Sequence, residues 1–289
     1  MPKAITLNDN ILLCTDLDRT LLPNGEPLES PGARELFTHV AQRPDVDVAY
    51  VTGRHKALVQ EAIDEFQLPI PDYVLGDVGS TIYEIKSGQW TLWQDWQDEI
   101  APSWAGFTHD KLAALFTDLE ALTLQEAEKQ NTFKLSYYVP EKCDTDALLT
   151  EMRQRLQENG IRASLIWSID DLEHIGLLDL LPENATKLHA IEFLMKQKGY
   201  AHDKTLFAGD SGNDLPVMAS GVNSVLVANA RDDVRQQAEQ QAAQHNNGTS
   251  LYLAQGDFLG MNGNYSAGIL EGLAHFIPWT EEWFDTSSA

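Results

Sequence analysis

The sequence predicts an α/β fold: a doubly wound parallel-sheet core carrying an inserted α+β domain. Three observations lead there. Short apolar runs alternate with helix-periodic stretches up to about residue 80 and again from residue 187, the pattern of strand–helix–strand crossovers. Three of these runs end in clusters of small and polar residues: Asp16-Leu17-Asp18-Arg19-Thr20, Thr52-Gly53-Arg54, and Gly209-Asp210-Ser211-Gly212-Asn213-Asp214. Between them the pattern changes to hairpins and longer strand–helix units, as in an antiparallel sheet with helices on one face.

Residues 11–15 are mostly apolar and read as a buried strand ending at Asp16. Pro23, Gly25 and Pro27 then turn the chain into a loop. Two carboxylates, Asp16 and Asp18, are thereby delivered to the sheet edge where open α/β sheets bind ligands. Taken alone, a solvated Asp-rich turn fits as well. Ser30 as a cap and Pro31 in the first turn predict a helix with Ala33, Leu36, Phe37 and Val40 on one face. Residues 47–51 form a second strand, running into Thr52-Gly53-Arg54. A helix to about Gln67 follows, with Leu58, Ile63 and Phe66 as inward positions. Residues 73–75 form a third strand, followed by Gly76-Asp77-Val78-Gly79-Ser80.

Residues 81–85 and 89–93 read as a hairpin around Ser87-Gly88. Then come a helix over 110–122, a strand over 133–139, a helix over 144–158, and strands over 163–169 and 176–181. The insert is assigned to 84–182, and the core to 1–83 and 183–289. Trp90, Trp93, Trp96, Trp104 and Trp167 fall in the insert; a core role suits most of them better than a sugar-lining one. The parallel pattern resumes with a helix from Lys187, using Leu188, Ile191, Leu194 and Met195, then strands over 205–208 and 224–227. Residues 231–247 look helical and solvated, and the chain closes with LYLAQ and the helix SAGILEGLAHF.

Forty-four acidic against 20 basic residues give a net charge of −24, which repels nucleic acid and anionic membranes. A salt-rich cytoplasm and plain solubility both account for it. Any phosphate site must therefore be made positive locally. With 43% apolar residues the chain is globular. No run has the length of a membrane span, and MPKAITLNDN lacks the apolar core of a leader. Cys14 and Cys143 are the only cysteines, so a reducing cytoplasm is expected.

Four separated elements need one explanation. Asp16 and Asp18 supply carboxylates. Thr52 offers a hydroxyl beside the Gly53 N–H where a helix begins, an anion-binding arrangement. Lys187 brings a positive charge, and Asp210 and Asp214 two more carboxylates. Carboxylates crowded at one edge repel each other, and a hard divalent cation such as Mg2+ resolves this. Together the parts suit phosphoryl transfer. Singly, each has a plainer reading: Thr52-Gly53-Arg54 as a turn, Lys187 as a solvated lysine. The eight histidines show no metal-ligand spacing.

These stretches, with Lys187, resemble the four ordered motifs of the haloacid dehalogenase superfamily, and the insert resembles its C2B cap class. Gly79-Ser80-Thr81-Ile82-Tyr83, 131–137, Asp179-Leu180-Leu181-Pro182, 267–270 and His275-Phe276 are similar to sucrose-phosphate phosphatases. The resemblance implies a Mg2+-dependent sugar-phosphate phosphatase. Asp16 would be the nucleophile and Asp18 the proton donor and later the base. Thr52 and Lys187 would hold the phosphoryl group, with Gly53, Arg54 and Asn213 on the substrate side. Asp16, the Asp18 backbone carbonyl and Asp210 would hold the metal, with Asp214 a ligand or just outside it. In the cap, Asn131 and Lys134 would face the sugar. Sucrose 6-phosphate is the implied substrate. Mannosylglycerate, mannosylfructose or trehalose phosphates, a phosphohexomutase reaction, and a non-catalytic subunit remain alternatives. A monomer and docking to a sugar-phosphate synthase are both open, since the sequence does not fix the oligomeric state. Arg19 departs from the small or amide residue common at its position, Leu188 stands where glycine is usual, and 101–110 matches nothing in the family.

Overall fold

The computed structural model describes residues 8–170 and 173–284; the first seven residues, part of the leader reading, lie outside it. The chain begins β1 (Ile11–Thr15), α1 (Ala33–Ala41), β2 (Val46–Val51), α2 (Lys56–Phe66), β3 (Tyr73–Gly76), β4 (Thr81–Lys86), β5 (Gln89–Leu92) and α3 (Gln94–Ile100). It continues with α4 (His109–Ala114), β6 (Thr123–Leu124), β7 (Leu135–Pro140), α5 (Thr145–Glu158), β8 (Ala163–Asp170) and β9 (Ile175–Pro182). It ends with α6 (Lys187–Lys198), β10 (Thr205–Gly209), α7 (Leu215–Met218), β11 (Asn223–Leu226), α8 (Asp232–Gln244), β12 (Leu251–Leu253) and α9 (Ser266–Phe276). Among the described residues no helix is long and apolar enough to cross a membrane.

The first sheet runs β12-β11-β10-β1-β2-β3-β4-β5. Its first six strands are parallel. β1 sits between β10 and β2, and all five of its residues are buried. A parallel strand covered on both faces needs apolar side chains on both, hence the continuous run rather than an alternation. Leu12 and Cys14 join a cluster with Ala190, Ile191 and Leu194 of α6. Ile11 and Leu13 join another with Phe37 of α1 and Ile269 and Leu273 of α9. The chain steps from β1 to β2 on one side and returns to β10 on the other, which opens a crevice at the carboxyl end of β1.

The second sheet, β6-β7-β9-β8, is antiparallel. Leu112 of α4 and Leu148, Met152 and Leu156 of α5 pack with Leu135, Val139 and Leu178 in a third cluster. The hairpin expected to open the insert instead extends the first sheet, because β4 pairs antiparallel with β3. The insert boundary at 84 therefore falls inside a core strand. Trp96 and Ile100 still pack in the core, whereas Trp104 belongs to the third cluster; on return, Leu180 lies in the third cluster and Leu181 in the core.

Three local expectations also change. The helix over 110–122 stops at Ala114, since Arg155 of α5 takes the Leu115 carbonyl at 2.7 Å and pairs with Asp118. Ser30 does not cap α1; its Oγ accepts from the Asn262 N–H at 2.9 Å, and Gly32 precedes the helix. α8 is not wholly solvated: Val234, Ala238 and Ala242 form a narrow buried stripe.

Candidate active site

β1 ends at Asp16, but the Asp16 N–H still donates to the Ala208 carbonyl of β10 at 2.9 Å. The carboxylate is thus fixed by the sheet itself. Its Oδ1 accepts from the Leu17 N–H at 2.8 Å, and its Oδ2 lies 3.1 Å from Lys187 Nζ. Burial holds this carboxyl above its ordinary range; Lys187 opposes that and the Asp214 charge adds to it. Lys187 opens α6, where the Thr186 hydroxyl accepts from the His189 N–H as a cap. Burial alone would favour the neutral amine, but Asp16 and Asp214 outweigh it and hold the ammonium charged.

Asp214 is fully buried and fully engaged. Its Oδ1 takes Lys187 Nζ at 2.7 Å, while Oδ2 accepts from the Asp210 and Ser211 N–H groups and the Ser211 hydroxyl. Gly209 permits this, because a Cβ there would sit 2.6 Å from the Asp214 carboxyl group. Asp214 therefore shapes the turn and steadies Lys187. Asp210 keeps more freedom: Thr20 Oγ1 donates to it at 3.2 Å, and Arg19 Nε lies 3.5 Å away. Burial and the Asp214 charge push its pKa up to about 6 against the pull of Arg19.

Among the described residues, Asp16, Asp210 and Asp214 form a buried trio whose ligand oxygens lie within 4.8 Å of one another. Oxygen-only donors, with Asp16 and Asp210 the less committed pair, fit a small hard cation that keeps several waters. Asn213 reaches Lys187 Nζ with its Oδ1 at 3.3 Å and remains exposed.

The Asp18 side chain is not in this trio. Arg54 Nε donates to its Oδ2 at 2.9 Å and Nη2 to its Oδ1 at 2.7 Å, and Asn24 Nδ2 donates at 2.7 Å. Partial burial raises its proton affinity, but the Arg54 hydrogen bonds and charge outweigh that and leave the carboxyl below its usual range. Arg54, expected on the substrate side, instead holds Asp18 here. Thr52 is fully buried at the end of β2; its N–H donates to the Leu75 carbonyl, and its Oγ1 accepts from the Arg54 N–H at 3.2 Å. Gly53 is exposed beside it.

In the cap, Asn131 Nδ2 donates to Ser80 Oγ of the core at 3.1 Å, and its Oδ1 accepts from the Phe133 N–H. Lys134 is buried rather than presented. Its Nζ meets the Lys129 carbonyl at 3.1 Å, Ser136 Oγ at 2.9 Å and Asp179 Oδ1 at 3.3 Å, and an ammonium has three protons to give. Sequence reasoning missed Asn24, Ser80 and Asn229. Asn229 Nδ2 holds the Arg19 carbonyl at 2.6 Å, and its Oδ1 accepts from the Tyr265 N–H, so the C-terminal segment braces the Asp16–Thr20 loop. Ser80 alone carried a signal, lying in a glycine-bearing loop directly after a strand.

The family described as sucrose-6F-phosphate phosphohydrolase matches residues 9–277. A chain of Nitrosococcus oceani named only as a HAD-like hydrolase is 54% identical over 280 residues, covering 97% of this chain and 75% of that one. Mannosylfructose-phosphate phosphatase of Agrobacterium fabrum is 26% identical, covering 92% of this chain and 96% of its own. The chain spans about half the length (53%) of sucrose-phosphatase 1 of Nicotiana tabacum, at 28% identity over 80% of this chain. The structure of the Synechocystis sucrose-phosphatase, solved with sucrose and phosphate, superposes with a TM-score of 0.67 at 29% identity, covering 92% of this chain and 98% of that one. With a match that runs from β1 through α9, the chain belongs to the sucrose-6F-phosphate phosphohydrolase family and is a sugar phosphatase of the haloacid dehalogenase superfamily.

Proposed function

We propose that the protein is a Mg2+-dependent phosphatase that hydrolyses sucrose 6-phosphate through a phosphoryl group carried on Asp16. The observation that carries this is the contact of Asp16 with Lys187 inside a buried trio of carboxylates. An Asp16 oxygen attacks phosphorus while the bond to the sugar oxygen breaks. That oxygen leaves with a proton from Asp18, and Asp16 becomes a mixed anhydride. Water then attacks the same phosphorus, Asp18 takes its proton, and Asp16 is released with inorganic phosphate. Lys187 and the Thr52 hydroxyl hold the phosphoryl oxygens, with the Gly53 N–H at the helix entrance. Asp16 and Asp210, with the Asp18 backbone carbonyl, would hold Mg2+, which supplies positive charge to the phosphoryl oxygens when bound. The resting ion pair with Arg54 suits Asp18 to the second half of the cycle, where a carboxylate is needed.

The sugar reading rests on the family match and on the Synechocystis neighbour. The Agrobacterium relative, aligned over nearly its whole length, supports mannosylfructose phosphate as a second reading. Phosphate release should be measured on sucrose, mannosylfructose, mannosylglycerate, trehalose and hexose phosphates. A kcat/KM for sucrose 6-phosphate no higher than for the others would overturn the substrate assignment. Isomerised hexose phosphate in place of free phosphate would point to a mutase.

A further inference from the structure

Asp77, Val78 and Gly79 take left-handed backbone conformations in succession, with φ of 52°, 60° and 89°. Two of the three have side chains and one is β-branched, so this loop is strained and persists only where its surroundings over-determine it. Its contacts reach every part of the phosphate cradle. The Asp77 N–H donates to the Arg54 carbonyl at 3.0 Å, and the Val78 N–H to the Thr52 carbonyl at 3.3 Å. Gly79 presses on the start of α6, where a Cβ would come within 2.7 Å of the Thr186 carbonyl carbon. Ser80 closes the loop with its hydroxyl, which donates to the Asp77 carbonyl at 2.9 Å. The same fully buried hydroxyl accepts from Asn131 Nδ2 of the cap at 3.1 Å.

We propose that Ser80 is a positioning residue, the link through which the seated cap holds the strained loop and so sets Thr52 and Lys187 for phosphoryl transfer. The path is continuous, from Asn131 to the Ser80 hydroxyl, to the Asp77 carbonyl, and on through the 77–79 backbone to Thr52, Arg54 and α6. Burial matters here: a hydroxyl with no access to water cannot replace a lost partner with solvent, so breaking the bond from the cap side is felt in the loop. The kinetic form of this inference rests on the phosphatase reading; the structural form does not.

Two measurements test it. In the ligand-free full chain, hydrogen–deuterium exchange should quicken several-fold at the Asp77 and Val78 amides in Asn131→Ala, which also loses a direct bond to the Asp77 carboxylate, and equally in Ser80→Ala, which keeps that bond. In steady-state assays on sucrose 6-phosphate, Ser80→Ala should lower kcat about tenfold, the worth of one hydrogen bond, while KM changes little. Asn131→Ala should show the same kcat loss together with a raised KM, and adding Ser80→Ala to it should lower kcat no further. Unchanged exchange at both amides, or kcat losses that multiply in the double variant, would overturn the link. If Ser80→Ala does not fold, the same exchange and kinetic measurements on Ser80→Cys decide. If no sugar phosphate is turned over, the functional reading fails while the exchange result still stands or falls separately.

Discussion

Arg54 grips Asp18 through both carboxylate oxygens, at 2.9 and 2.7 Å, although the two residues come from different strand ends. The pair favours the anion of Asp18, yet the first half of the proposed reaction requires it to lend a proton. A group that must be protonated to act loses activity as pH rises through its pKa, so a lowered pKa pulls the alkaline limb of the rate profile down the pH scale. Removing Arg54 should move that limb the other way. Arg54→Gln is expected to shift the alkaline limb of kcat/KM for a sugar phosphate to higher pH. The limb reports the pKa whatever the absolute loss of rate, and a limb that stays in place would mean Asp18 is not the proton donor.

Asp16→Asn removes the anionic oxygen and keeps the shape. Turnover should fall by several orders of magnitude, because covalent catalysis loses its attacking group. Phosphate release by the purified variant within tenfold of the parent enzyme would place the chemistry elsewhere.

Chelation should abolish activity, and Mg2+ should restore it better than the larger Ca2+, which draws more ligands and disturbs the in-line geometry. Asp210→Ala should weaken Mg2+ binding measured by calorimetry. Arg19→Gln should strengthen it, since Arg19 Nε sits 3.5 Å from Asp210 and offsets the charge the ion would meet. A several-fold tighter dissociation constant is expected, and weaker binding in Arg19→Gln would show that the arginine supports the site instead.

Lys134 and Asn131 should separate. Lys134 gives all its protons inside the cap and is buried, so Lys134→Ala takes the ammonium from beside the half-buried Asp179 carboxylate, which keeps only the Ser136 hydroxyl, and should cost about 1–3 kcal/mol of stability. Thermal unfolding would register this as a clear drop in Tm. Asn131 is half-buried, and Asn131→Ala should raise KM for the disaccharide phosphate with a much smaller change in Tm. Equal Tm losses in the two variants would remove the distinction.

The sheet edge was legible because its strands are buried on both faces. Residues 11–15, 47–51 and 205–208 show it as apolar runs, each ending where Asp16, Thr52 and Asp210 emerge. Sheet membership was not legible for the hairpin, since an antiparallel pair looks the same whether it extends one sheet or founds another. Pairings made between distant loops leave no trace in spacing, which is why the grip of Arg54 on Asp18 could not be foreseen. Lys134 misled for a different reason. Lysine is ordinarily exposed, and only the fold brings three acceptors around its ammonium. The stripe of Ala238 and Ala242 was hidden by the glutamines around it.

The chain crosses out of the core once, between Ile100 and Trp104, and back once, between Leu180 and Leu181. Among the described residues neither core cluster draws a fully buried member from the stretch between, although Phe133 packs against the first from outside it. The inserted unit is thus a cassette spliced into the scaffold at two points. On the function proposed above, inheritance could revise what the enzyme accepts and leave untouched how it cuts, for the two tasks would be written in separate stretches of the message. Ser80 and Asn131 mark one place where the two texts must still agree.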